Sequence, residues 1–382
     1  MMKQIILLLL MSFLTVLPVR ATEDLEENLV DVSYHFDQTK LDASADSFHF
    51  LRSFVDYYYD LIPANLKSLH LATEAARFSG WCAGDAHPEN FGTLIQENGN
   101  IIFSINDMDD SGPCPVAWDF LRLAVSSKLY MPKLNISSLV SSYQKGLSGE
   151  VVSAPLEIQN LLSAGKKSGE AVNPKDLDGE RLKRKKEMNE VSGEVRNVIV
   201  SDLQKLFSSK DFEIEAIKVI DIVSTSKIGG GSGGLLRYEI LCSRANGNLV
   251  HLELKELTTP GMAIVATEKI PEQSLRIMKT AKIEQGADVS HFYNVFVVNG
   301  KTMLLRPKFY GDIGVNLASD LSGNSETDLI IYEAYILGSI HSKTVDAKGY
   351  KQALEHLNPG DWEADVSAFT KQFNKKFDQF KN

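Results

Sequence analysis

The stretch from Gly84 to Asp109, GDAHPENFGTLIQENGNIIFSINDMD, constrains this chain more than any other. Phe91 to Ile95 and Ile101 to Ile105 are apolar, β-prone runs, and the polar link Gln96-Glu97-Asn98-Gly99-Asn100 between them carries an Asn-Gly turn signal. The pattern predicts one β-hairpin. A hairpin holds its two ends side by side, so a loop bearing Asp85 and Asn90 should face a loop bearing Asp107 and Asp109. Phosphoryl transfer needs such an arrangement. One carboxylate orients or deprotonates the attacking hydroxyl, while an amide and a second carboxylate hold the Mg²⁺ that neutralises phosphate oxygens. Asp85 and Asn90 are therefore the expected catalytic residues. Asn90 and Asp107 are the expected metal ligands, with Asp109 as auxiliary.

Gly84-Asp85-x-His87-Pro88-x-Asn90 followed by Asn106-Asp107-Met108-Asp109 resembles the H-G-D-x-H-x-x-N … I-D-F-D signature of aminoglycoside and choline/ethanolamine phosphotransferases, of the protein-kinase-like superfamily. The block through Gly112-Pro113 and Trp118-Asp119-Phe120-Leu121-Arg122-Leu123-Ala124 resembles still more closely an uncharacterised bacterial group, domain-of-unknown-function family 2252. That likeness extends in weaker form to about Lys343. Two positions depart from the signature: Ala83 stands where a His usually precedes the Gly-Asp pair, and Met108 replaces an aromatic. Both leave the carboxylates in place. The resemblance implies ATP and Mg²⁺ as cofactors and a hydroxyl group, of a small molecule or an envelope component, as phosphate acceptor.

Gly229-Gly230-Gly231-Ser232-Gly233-Gly234 satisfies G-x-G-x-x-G but runs into a strand, so a dinucleotide-binding reading fails. It precedes two hairpin-connected strands, 235–244 and 249–257, the second carrying Lys255. In kinases a glycine loop covers the phosphates, and a strand lysine reaches them while pairing with a helix glutamate. Gly229, Gly231, Ser232, Gly234 and Lys255 are thus candidate cofactor-binding residues, with Glu268 and Glu272, at the start of a helix expected over 267–282, as candidate partners of the lysine. The bland alternative is a flexible connector. In this chain the acid-bearing block comes first and the glycine loop second. The expected fold class is therefore α+β, a protein-kinase-like bilobal fold that is circularly permuted.

At the amino terminus, Lys3 and the largely apolar run from Ile5 to Val19 resemble a secretory signal cleaved after Ala21, with an uncleaved anchor as the alternative. No later stretch reaches membrane length, and export to the periplasm or medium is the expectation. Loss of Lys3 and Arg20 makes a formal charge of −10 still more negative, which disfavours nucleic-acid binding. Cys82, Cys114 and Cys242 allow one internal disulfide; Cys82 and Cys114 flank the motif block.

The expected organisation is a loose arm at 22–41, a helical lobe with the catalytic and metal loops at 42–164, a charged linker at 165–204, a β-rich nucleotide lobe at 205–310, and helices at 311–382 that complete the helical lobe. Helical periodicity from Asp42 places Phe48, Leu51, Val55, Tyr58 and Leu61 on one face, with Asp42 or Ser44 as cap. The run Tyr57-Tyr58-Tyr59 should divide between core and surface. His87, Asp119 and Arg122 are expected to support the catalytic loop. Asp85-x-His87 also opens metallophosphoesterase sites, but the further elements of a two-metal site lack their neighbours here. A third reading is a non-catalytic binding or regulatory module on the same fold.

Overall fold

In the computed structural model, residues 29–72, 74–208, 217–317 and 323–381 are described. The expected leader and the first part of the arm lie outside them. The rest of the arm is not loose. Val32, Tyr34 and Phe36 alternate along extended chain and pack on the helical core, and Phe36 meets the rings of Phe50, Phe54, Tyr57 and Phe380.

Three short helices follow: α1 (Gln38–Ala43), α2 (Ser47–Ser53) and α3 (Val55–Asn65). The helix expected from Asp42 is broken at Phe54, and the caps are Asp37 and Asp46, whose carboxylates accept from the Lys40 and His49 amides. The apolar face was legible: Phe48, Leu51, Val55, Tyr58 and Leu61 are all buried. All three tyrosines at 57–59 are buried as well, each because its hydroxyl finds a partner, namely Asp31, the Trp118 carbonyl and the Gly84 carbonyl.

Next come β1 (Ser79–Cys82), β2 (Phe91–Ile95), β3 (Ile101–Ile105), β4 (Gly112–Pro115), α4 (Val116–Tyr130), α5 (Ile136–Leu147) and α6 (Leu156–Ser168). β2 and β3 form the expected hairpin, with Phe91 opposite Ile105 and Ile95 opposite Ile101. β1 pairs antiparallel with β4, and a disulfide joins Cys82 to Cys114, whose Cα atoms are 5.9 Å apart.

The segment expected to be a charged linker has a small core. β5 (Leu177–Asp178) and β6 (Arg181–Leu182) make a hairpin, and Val172 and Leu182 are buried with Val223 and Leu241. β7 (Met188–Glu190) then joins the main sheet, and α7 (Gly193–Phe207) buries Ile199, Leu203 and Phe207 against it.

The sheet is completed by β8 (Lys218–Thr225), β9 (Arg237–Ser243), β10 (Leu249–Glu256), β11 (Asn294–Val298) and β12 (Lys301–Pro307), with α8 (Gln273–Gln285) between β10 and β11. All six strands are antiparallel, in the order β11-β12-β10-β9-β8-β7. α9 (Gly323–Ser342), α10 (Ala347–Glu355) and α11 (Pro359–Lys381) return to the helical part. The mixture is α+β. One large apolar core lies among the helices and a second under the sheet. Residues after β12 cross from the sheet to the hairpin, where Thr93 N donates to Ile313 O and Val315 N to Phe91 O.

Candidate functional site

Asp85 sits in the loop after β1, at a turn that demands glycine. Gly84 has φ +84°, and a Cβ there would lie 1.8 Å from the Asp110 carbonyl oxygen. Asp119, buried on α4, accepts from the Ala83 and Gly84 amides at 2.8 and 2.9 Å. His341 Nε2 lies 3.0 Å from the same carboxylate, and Tyr143 OH lies 2.6 Å from His341 Nδ1. Three helices thus fix the backbone on which Asp85 is carried. Sequence reasoning reached Asp119 but gave His341 no role, because its partner is over two hundred residues away.

Arg122, fully buried one turn along α4, donates from Nε to Asp85 Oδ1 at 3.0 Å, and its Nη2 reaches the same oxygen. Burial opposes the guanidinium's charge, but Asp85 beside it holds its pKa up. His87 Nδ1 accepts from the Glu89 amide, which puts the ring proton on Nε2, 3.6 Å from Asp85 Oδ2. Burial, with Arg52 and Arg122 nearby, drives the His87 pKa well below its ordinary value, so the ring is neutral. Asp85 therefore keeps one oxygen, Oδ2, clear of the arginine.

Asn90 joins the two loops. Its side-chain amide donates to the Asp85 carbonyl at 2.9 Å, and its own carbonyl accepts from Asn106 N at 3.0 Å. Across the hairpin, Lys255 Nζ lies 3.1 Å from both oxygens of Asp107 and also pairs with Asp109. The lysine is 1 % exposed and comes from the middle of the sheet. Burial works to raise Asp107, yet Lys255 and Arg306 win and hold it below the usual carboxylate range. Burial and the neighbouring Asp107 push Asp109 the other way. Its Oδ1 is buried without a hydrogen-bond partner.

The glutamates expected to pair with Lys255 do not. Glu268 and Glu272 are exposed, because α8 begins only at Gln273, after Pro271. The residue before a proline is steered away from helix, a signal that was present in the sequence. α8 grips the metal-loop candidate through Arg276 instead, whose Nη1 donates to the carbonyls of Asp109 at 2.7 Å and Ser111 at 2.9 Å. Arg306, also without an assigned role from sequence, donates to the Asn106 carbonyl at 3.0 Å and to Glu253 at 2.6 Å.

The glycine loop folds back towards these carboxylates. Gly230 N donates to Ser53 Oγ, and Lys40 Nζ to the Gly231 carbonyl. Within the loop, Gly233 N donates to Gly230 O and Gly234 N to Lys227 O. The amides of Gly229, Gly231 and Ser232 have no partner among the described residues. Gly231 and Ser232 line a cavity of about 140 Å³ together with Asp109, Asp110, Thr258 and Gly261. Gly229 and Gly234 lie outside it, Gly234 against a separate cavity beside Lys227 and Leu236. Asp110 was missed by sequence reasoning. Burial and the Asp85 charge raise its pKa to about 7, and its Oδ1 accepts from Gly261 N.

Contacts thus tie Asn90 to the Asp85 carbonyl and to Asn106, and Lys255 to Asp107 and Asp109, while Gly231 and Ser232 share a cavity with Asp109 and Asp110. The sequence model of a family described as an uncharacterized protein conserved in bacteria, domain-of-unknown-function family 2252, matches residues 39–141, which include the acid-bearing loops, Asp119 and Arg122 but neither the glycine loop nor Lys255. No curated protein and no solved structure matches the chain.

Proposed function

We propose that this protein is a Mg²⁺-dependent phosphotransferase on a circularly permuted, protein-kinase-like bilobal arrangement, moving a phosphoryl group to a hydroxyl of a small-molecule or envelope substrate, with ATP as the donor implied by the resemblance. One observation carries the reading: a lysine from the middle of the sheet reaches both carboxylates at the far end of the hairpin. Protein kinases place a glycine loop over the phosphates, a lysine on the third strand and then a helix. β8, the Gly229–Gly234 loop, β9, β10 with Lys255 and α8 follow in that order here, after the acid-bearing hairpin rather than before it.

The residues fit a hard divalent cation. Asp109 Oδ1 is a buried carboxylate oxygen without a partner, Asp107 is partly exposed, and Asn90 adds a neutral oxygen. Magnesium is held by one or two carboxylates with water and substrate phosphates completing the shell. When bound, the ion would neutralise charge on the phosphate oxygens. Asp85 Oδ2 would accept the proton of the acceptor hydroxyl and orient its oxygen, while Arg122 fixes the carboxylate through Oδ1. Lys255, released from the aspartates, would bind phosphate oxygens beside the free amides of Gly231 and Ser232.

Calorimetric titration with ATP and Mg²⁺, beside an Asp107→Asn variant, tests this. The wild type should bind nucleotide in a metal-dependent way, and the variant should lose that dependence. No binding by the wild type up to millimolar nucleotide would sink the reading.

A further inference from the structure

Lys40 belongs to the arm that the sequence led one to expect loose, yet it is folded against the glycine loop. A Cβ on Gly229 would stand 3.4 Å from Ala43 Cβ at the end of α1, and one on Gly231 3.3 Å from Val55 Cγ2 at the start of α3. Lys40 Nζ donates to the Gly231 carbonyl at 2.7 Å, and Gly230 N donates to Ser53 Oγ at 3.2 Å. The loop is therefore held from the helical side by α1, α2 and α3, which precede the acid-bearing hairpin in the chain. The kinase arrangement of a strand lysine with a glycine loop gives no role to helices placed there.

Two cavities meet at this contact, and Lys40 and Leu235 line both. The smaller, of about 140 Å³, also carries Asp56, Asp109, Asp110, Gly231 and Ser232, and Lys40 is the one cation on its wall among the described residues. Lys255 already neutralises Asp107 and Asp109, so a polyanion entering here needs a further positive charge. Lys40 makes no ion pair among the described residues. An ammonium has three donors, of which the Gly231 carbonyl takes one. The larger cavity, of about 360 Å³, lies beside Gly233 and Gly234 and is walled by Ile228, Leu235 and Leu236 with Thr39, Lys227 and Arg237. Its volume falls within the ~300–1,000 Å³ of small-molecule sites, which are mostly apolar with a few polar groups. Ile228 and Leu236 are 58 % and 44 % exposed, so each leaves apolar surface open at that cavity.

Resting on the phosphotransferase reading, we propose that α1 completes the donor site for a nucleoside triphosphate. Lys40 binds the phosphate chain where it passes from the smaller cavity to the larger, and the wall of Ile228, Leu235 and Leu236 takes the nucleoside. The division follows the chemistry of the two walls: an ammonium and loop amides in the one, aliphatic surface in the other. A hydrogen bond from an ammonium to phosphate is stronger than one from a neutral donor, so the charge of Lys40, and not only its contact with Gly231, carries its part of the affinity.

The test is titration of the full chain, with Mg²⁺ present, by ATP and by tripolyphosphate. The wild type should bind ATP at least about tenfold tighter, the difference being the nucleoside. Lys40→Gln, which can still donate to the Gly231 carbonyl but carries no charge, should weaken both ligands by about tenfold or more, and Lys40→Arg should recover most of that loss. Unchanged affinity in Lys40→Gln would mean that the lysine only pins the loop, and would overturn its role. Ile228→Asn/Leu236→Asn, at two exposed positions, should weaken ATP by about tenfold and leave tripolyphosphate within about twofold of the wild type. Equal affinity of the wild type for ATP and tripolyphosphate, or equal losses of both in the double variant, would overturn the nucleoside subsite. Binding of neither anion by the wild type would remove the phosphotransferase reading itself, a result distinct from these failures.

Discussion

Asp110 shows how one side chain can set a cost on the whole fold. Its carboxyl ionises at about 7 in the folded protein against an ordinary 3.8, because burial and the Asp85 charge disfavour the anion. Below the ordinary value both folded and unfolded chains are protonated and nothing is lost. As pH rises towards 7 the unfolded chain ionises first, so stability falls across that window and then levels off. Asp110→Asn removes the titration while keeping an oxygen to accept from Gly261 N. Its unfolding free energy, read from thermal melts, should therefore gain on the wild type steadily between about pH 4 and 7, by on the order of 1 kcal/mol or more, and the difference should stay level above. A gain independent of pH would show that Asp110 is not the titrating group.

Among the elements, the pair β1–β4 does most to fix the two loops relative to each other. Cys82 leads into Gly84 and Asp85, and Cys114 follows the turn bearing Asp109 and Asp110, so the disulfide ties the roots of both loops. With a sequence separation of 32 between its ends, the bridge should be worth about 3–4 kcal/mol through the unfolded chain. A thiol reductant should lower the melting temperature of the wild type and leave that of a Cys82→Ala/Cys114→Ala variant unchanged. Equal melting curves for wild type with and without reductant would remove the bridge from the account. α8 teaches a related lesson. It meets the aspartate loop through Arg276 and backbone carbonyls, so the helix and the loop are coupled without the glutamate–lysine pair that the resemblance led one to expect.

For the molecule as a whole, the last three helices are part of the site's foundation. α9 delivers His341 to Asp119, and α11 buries Trp362, Phe369 and Phe373 in the core that also holds α2, α3 and α4. A chain ending at residue 317 would leave that core open and the Asp119 network incomplete. Such a truncation should show no cooperative thermal transition in near-ultraviolet circular dichroism. A sharp transition would mean that the hairpin and sheet fold without the returning helices.

The sequence by itself determined what depends on neighbours along the chain. The β2–β3 and β9–β10 hairpins follow from β-prone runs joined by Asn-Gly turns, and the first of them alone placed Asp85 and Asp107 at adjacent ends. Only the tertiary structure decided who meets whom across long separations. Lys255 found Asp107 and Asp109 rather than a nearby glutamate, Asp119 found His341, and the charged stretch after α6 supplied an edge strand. Periodicity reports which face of an element is apolar, but the partner of a buried charge is set by three-dimensional proximity and desolvation, and neither is written in local spacing.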